Sequence, residues 1–92
     1  MEEVMGRVVK NGKVIADDLT ICLEVTVGAV KKWHGGFFLP EGLTLATGNL
    51  YRLELADGRS GEMLVVQQTI SSDSPTQVSF VGKGPLLNAP AS

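Results

Sequence analysis

The chain has 92 residues, which fits one domain, and its 43% apolar and 20% charged residues exclude disorder over most of that length. Its formal net charge of −2, with no block of one sign, gives none of the basic surplus that holds nucleic acid by its phosphates. No apolar run approaches the ~20 residues that a membrane helix needs.

Cys22 is the single cysteine, so no internal disulfide forms, and the acidic start Met1-Glu2-Glu3 is followed by no apolar segment of a secretory signal. Both point to the cytoplasm. Eleven glycines among many Val, Ile, Leu and Thr residues point to short strands joined by tight turns.

In chain order, the first element is a hairpin. Asn11-Gly12 lies between Val8-Val9-Lys10 and Lys13-Val14-Ile15. A two-residue loop pairs Lys10 with Lys13, Val9 with Val14 and Val8 with Ile15. The cost is two lysines side by side, tolerable if both are solvated. Asp17-Asp18 then breaks the apolar phase, which predicts a bulge or corner and two strands meeting at a bend over residues 13–27. Leu19, Ile21, Leu23, Val25 and Val27 alternate with Thr20, Cys22, Glu24 and Thr26, the pattern of a half-buried strand.

Residues 32–39 read as a strand interrupted by Gly35-Gly36, where a bulge or close backbone approach is expected, and Pro40-Glu41-Gly42 ends it in a turn with proline second. Residues 43–68 contain the second hairpin. A three-residue loop, Ala56-Asp57-Gly58, sets Tyr51 against Met63, Arg52 against Glu62 and Leu53 against Gly61. This gathers one apolar face and an opposite-charge pair, which a two-residue loop does not. Residues 69–75 form a polar loop. Gln77 to Val81 is the last predicted strand, with Val78 and Phe80 on one face.

The sum is six to seven short strands and no helix: an all-β, small single-domain antiparallel β-barrel, closed or nearly closed, over residues 1–84. Residues 85–92 read as a loose tail or a short latch through Leu86 and Leu87.

The densest group of functional residue types is Lys31, Lys32, Trp33 and His34 beside the glycine pair. It reads either as a rim for an anionic or aromatic ligand, with Arg59 as a further cation, or as a tryptophan packed at a barrel end. His34 has no second histidine and no cysteine pair to share a metal with, so no metal or cofactor is expected. Arg52, Glu54, Arg59 and Glu62 fit a solvated charge ladder better than an anion grip. Gly82-Lys83-Gly84 lacks the third glycine and following helix of a phosphate cradle. The two-arginine entry segment of small-barrel cyclic-dinucleotide receptors has no counterpart.

With one histidine, one cysteine and one tyrosine, the usual acid–base and nucleophilic groups of an enzyme are nearly missing. The expectation is a non-catalytic binding or assembly module. It would engage a protein partner, or a second copy of itself, through a strand edge, with no membrane or nucleic-acid partner. The alternative is a small anionic-ligand-binding barrel using the Trp/Lys rim.

Overall fold

Period-two alternation and two tight turns set down six strands in the computed structural model, which describes residues 2–26, 32–40, 42–70 and 74–87. They are β1 (Glu2–Lys10), β2 (Lys13–Thr26), β3 (Lys32–Leu39), β4 (Leu50–Leu55), β5 (Ser60–Thr69) and β6 (Thr76–Leu87). All neighbours are antiparallel, in the closed order β1-β2-β3-β6-β5-β4 and back to β1. Among the described residues no helix is long and apolar enough to cross a membrane.

The first hairpin turns at Asn11 (φ 54°) and Gly12 (φ 78°), both left-handed as a two-residue turn of this kind requires. Lys10 faces Lys13 and Val9 faces Val14, as expected, but Val8 then faces Ala16 and not Ile15, because a register shift intervenes. The two lysines part company: Lys10 Nζ sits 4.6 Å from the centre of the Tyr51 ring and donates to the Leu50 carbonyl at 3.3 Å. A cation over an aromatic face offsets the like-charge repulsion.

The bulge at Asp17-Asp18 is present. Gly6 pairs with Leu19 and Val8 with Ala16, so Arg7 alone stands against the two aspartates. Asp18 takes φ 54°, and its N–H donates to Asp17 Oδ1 at 2.8 Å. β2 is thus one kinked strand of 14 residues, where two strands are expected. Beyond the bulge Leu19, Ile21 and Leu23 are buried while Thr20 and Glu24 are exposed, and Val27 lies outside the described residues.

The second hairpin has the three-residue loop, with Tyr51 opposite Met63, Arg52 opposite Glu62 and Leu53 opposite Gly61. Gly58 carries φ 97°, and the Leu55 and Arg59 backbones bond across the turn at 2.8 Å. At the end of β3 the Leu43 N–H bonds to the Pro40 carbonyl at 3.1 Å, so proline opens that turn and does not stand second in it.

The interior is filled. Val8, Ile21, Leu23, Leu39, Leu53, Met63, Val65 and Val78 have no exposure, and Trp33 is 3% exposed. The Trp33 indole meets Phe80 edge-on with centroids 6.0 Å apart, and the Phe37 ring centre lies 5.8 Å from that of Phe80. The indole rests on backbone where β5 and β6 carry glycine. A Cβ at Gly82 would overlap the ring, and one at Gly61 would stand 2.9 Å from it. This accounts for Leu53 facing a glycine. Next to it β6 carries an irregularity at Gly84 (φ 83°), whose carbonyl accepts the indole N–H at 3.0 Å. β6 therefore continues through Pro85 to Leu87, past the expected end of the domain, with Leu86 packed on the core. Residues 88–92 lie outside the described residues.

Two substitutions test this packing. Gly58→Ala is expected to lower stability by about 1–2 kcal/mol, since alanine is strained at positive φ. An unchanged melting temperature would disprove the turn geometry. Gly82→Ala is expected to cost about 1–3 kcal/mol by driving the indole from its seat. Trp33 fluorescence should shift to the red in step, and an unmoved spectrum would contradict the contact.

Candidate functional site

The sequence-predicted rim does not assemble as one. On β3, alternation turns Trp33 inward while Lys32 and His34 are exposed. The indole is a core side chain with its N–H already bonded, so its faces are closed to a stacking ligand. His34 Nε2 stands 3.6 Å from a Glu24 carboxylate oxygen across the β2–β3 pair. Lys31 lies outside the described residues. Arg59 is at the β4–β5 turn, bonded to Asp57 at 2.7 Å and to Glu2 at 2.9 Å. Its donation to the Asp57 carboxylate, then that to Glu2, raises the Arg59 pKa and keeps the guanidinium charged.

The outer face of β1 and β4 carries the other arginines. Arg7 Nε bonds Glu54 at 2.8 Å, and Arg52 bonds Glu54 at 3.1 Å and the Ser60 hydroxyl at 3.0 Å. Arg52 thus reaches along its own strand to Glu54, and not across to Glu62 as its register suggests. A groove of about 610 Å³ crosses this face, bordered by Met5, Arg7, Asp18, Leu55, Arg59 and Leu87. Each arginine on it is paired with a carboxylate, so the groove offers no spare positive charge for an anion. Among the described residues no group of three or more His, Cys, Asp and Glu side chains is placed to hold a metal ion.

The feature that alternation and motif reading miss is a matter of pairing. β2 has 14 residues and β3 has 8. They pair only over Cys22–Thr26 and Lys32–Gly36. Beyond Cys22 the stretch Lys13–Ile21 bonds β1 on one side, and on its other side no described strand pairs with it. Among the described strands Phe37–Leu39 of β3 likewise have β6 as their only neighbour. The cause lies at the glycine pair. A Cβ at Gly35 would overlap the Cys22 carbonyl, and one at Gly36 would stand 2.8 Å from the Val78 carbonyl. The strands meet very closely there and separate beyond it.

Apolar surface adjoins this gap. Phe38 of β3 is 59% exposed, and Val66 and Val81 are also exposed. With Cys22, Gly36 and Ser79 they border a groove of about 440 Å³. One sequence signal points to them. Phe37-Phe38 and Val65-Val66 are adjacent apolar pairs in strands, and one member of each must face outward. Comparison with protein-family models, with curated proteins and with solved structures gives no match.

The charge network carries a pH dependence. Hydrogen bonding from Arg7, with Arg52 adding to it, holds the Glu54 carboxyl below its ordinary 4.5, against the opposing effect of partial burial. The hydrogen bond from Arg59 does the same for Asp57 below 3.8. A folded-state pKa below the unfolded one adds stability above the unfolded value, and that stability is lost as pH falls through the folded value. Between about pH 5 and about pH 3, Glu54→Gln should therefore flatten the decline in melting temperature. Parallel declines for wild type and variant would show that the pairing contributes nothing.

Proposed function

We propose that the chain is a non-catalytic protein-binding module that receives an extended segment of its partner as an added strand along the unpaired side of β2. The observation that carries this reading is that, among the described residues, Lys13–Ile21 is paired with β1 alone. Backbone N–H and C=O groups on an open strand side are satisfied by water in the free chain and by a ladder when a strand is added. Main-chain bonds then supply affinity, and side chains on the adjoining face supply selectivity.

The filled interior supports an outer docking surface over an enclosed ligand site. The anionic-ligand reading has less support, with Trp33 inside the barrel and Arg59 held by two carboxylates. A second copy of the chain is a poorer occupant than a different protein. Antiparallel pairing of Lys13–Ile21 with itself along its full length sets Asp17 against Asp17, and like charges directly opposite destabilise a sheet. A lone cysteine with no disulfide partner suits a cytoplasmic setting.

The test is selection from a displayed library of random unstructured peptides, followed by amide hydrogen exchange on the complexes. Selected peptides should slow exchange within Lys13–Ile21 and leave the β5–β6 ladder unchanged. Peptides that protect only residues around Val66 and Val81, a library that yields none, or a stable dimer by light scattering would each overturn the reading.

A further inference from the structure

Between β3 and β4 the chain runs as a strap, and among the described residues its stretch Leu43–Ala46 belongs to no ladder. Side chains bond its backbone instead. Gln68 of β5 accepts from the Leu45 N–H at 2.7 Å and donates to the Leu45 carbonyl at 2.8 Å. The Tyr51 hydroxyl accepts from the Ala46 N–H at 2.9 Å. An amide side chain carries the donor and acceptor of a peptide group, so Gln68 holds one residue's main chain as a neighbouring strand would. Leu45 is 6% exposed and joins the core cluster, Leu43 is partly buried, and the other residues from Gly42 to Asn49 are exposed. Gly42 (φ 87°) and Gly48 (φ 85°) bound the strap, and a Cβ at either would meet nothing within 4 Å. Both glycines therefore serve backbone conformation and not close packing. From Gly48 on, bonds with Val65 return the chain to β5.

We propose that the strap is the internal occupant of a peptide-binding site. Leu45 fills an apolar socket, Gln68 and Tyr51 hold the main chain, and an extended peptide with a leucine-sized side chain binds there when the strap lifts. What points to a peptide is that one, the chain's own, is seated there by two side chains that bond only its main chain and by one buried residue of its own. Lifting the strap breaks these side-chain bonds and uncovers Leu45 without opening a ladder, so it is a local event that precedes global unfolding. Main-chain bonds accept any sequence, and the socket sets the preference. A tethered occupant competes at an effective concentration of about millimolar, so free peptide binds the intact chain weakly and a chain with an emptied socket better. The site does not depend on strand addition to β2. The two share one end of the barrel, since Tyr51 lies under Lys10, which faces Lys13 at the start of β2.

Amide hydrogen exchange of the free chain over a low-denaturant series tests the lifting. The Leu45 and Ala46 amides should exchange through an opening that denaturant hardly accelerates, while the β5–β6 amides respond fully. Gln68→Met, close in size and unable to pair, should speed exchange at Leu45 about tenfold and leave the β5–β6 ladder unchanged. The probe for the site is a capped peptide of the strap's own sequence, Leu-Thr-Leu-Ala-Thr, residues 43–47, at millimolar concentration. It should raise the melting temperature of Leu45→Ala by about 3 °C or more, and the same peptide with serine as its central residue should not. Adding Gln68→Met to Leu45→Ala should abolish the gain. In the wild type the peptide should speed exchange at Leu45 and Ala46 about twofold or more by holding the strap away, which decides the matter if Leu45→Ala does not fold. Leu45 and Ala46 amides with the denaturant dependence of the ladder would overturn the lifting strap. No response to the peptide, or an equal response to its serine form, would overturn the site, and either result leaves strand addition to β2 standing.

Discussion

The approach of β3 to β2 at Gly35 is the contact on which the rest of the barrel depends. No side chain fits there, because a Cβ would occupy the space of the Cys22 carbonyl. On one side of the crossing, Cys22–Thr26 pairs with Lys32–Gly36 and the wall is sealed. On the other the strands diverge, and of its two described neighbours β3 keeps β6, with which it pairs from His34 to Leu39. One glycine thus both brings β3 against β2 and leaves part of β2 without a second neighbour among the described strands.

Closure also needs the interior filled at the end where β3 begins, and there Trp33 takes the place of several smaller residues. Its ring covers the glycines of β5 and β6, so three strands are tied through one side chain. The indole N–H, costly to bury unpaired, finds the Gly84 carbonyl through the irregularity in β6. At the opposite end a side chain acts as a strand. The Gln68 amide accepts from the Leu45 N–H at 2.7 Å and donates to the Leu45 carbonyl at 2.8 Å, while the Tyr51 hydroxyl accepts from the Ala46 N–H. These bonds hold the connection before β4 across the barrel mouth, with Leu45 buried beneath it.

Much of the strand layout is legible in the sequence because turn chemistry and alternation are local signals. Asn11-Gly12 and Ala56-Asp57-Gly58 define both hairpin registers at the turn, and Asp17-Asp18 announces the bulge by breaking phase. The second register shift, at Ile15, is not legible, since it depends on how β1 also meets β4. The direction of Trp33 is ambiguous for the same reason. An indole suits a rim or a core, and the choice is made by Gly61 and Gly82, distant in sequence. The charge partners follow suit: Arg52 has Glu62 opposite in register yet bonds Glu54. The unpaired side of β2 is least legible of all, because it is a difference between strand lengths and appears only once their neighbours are known.

The order of strands around the barrel has a consequence for how the chain reaches this state. Four ladders form between strands consecutive in sequence, β1 with β2, β2 with β3, β4 with β5 and β5 with β6. The seams that close the ring join distant ones: Arg7 meets Glu54, and His34 meets Val81. Such contacts recover their loop-closure entropy late, so a barrel of this topology folds slowly compared with a hairpin or a helical bundle of its size. Until β6 arrives, β3 has no neighbour on that side, and Phe37, Phe38 and Leu39 face water together. A chain in which β6 has not yet docked therefore holds the β1-β2-β3 and β4-β5 ladders with one flank of the aromatic strand β3 uncovered, the form of this protein most prone to aggregate.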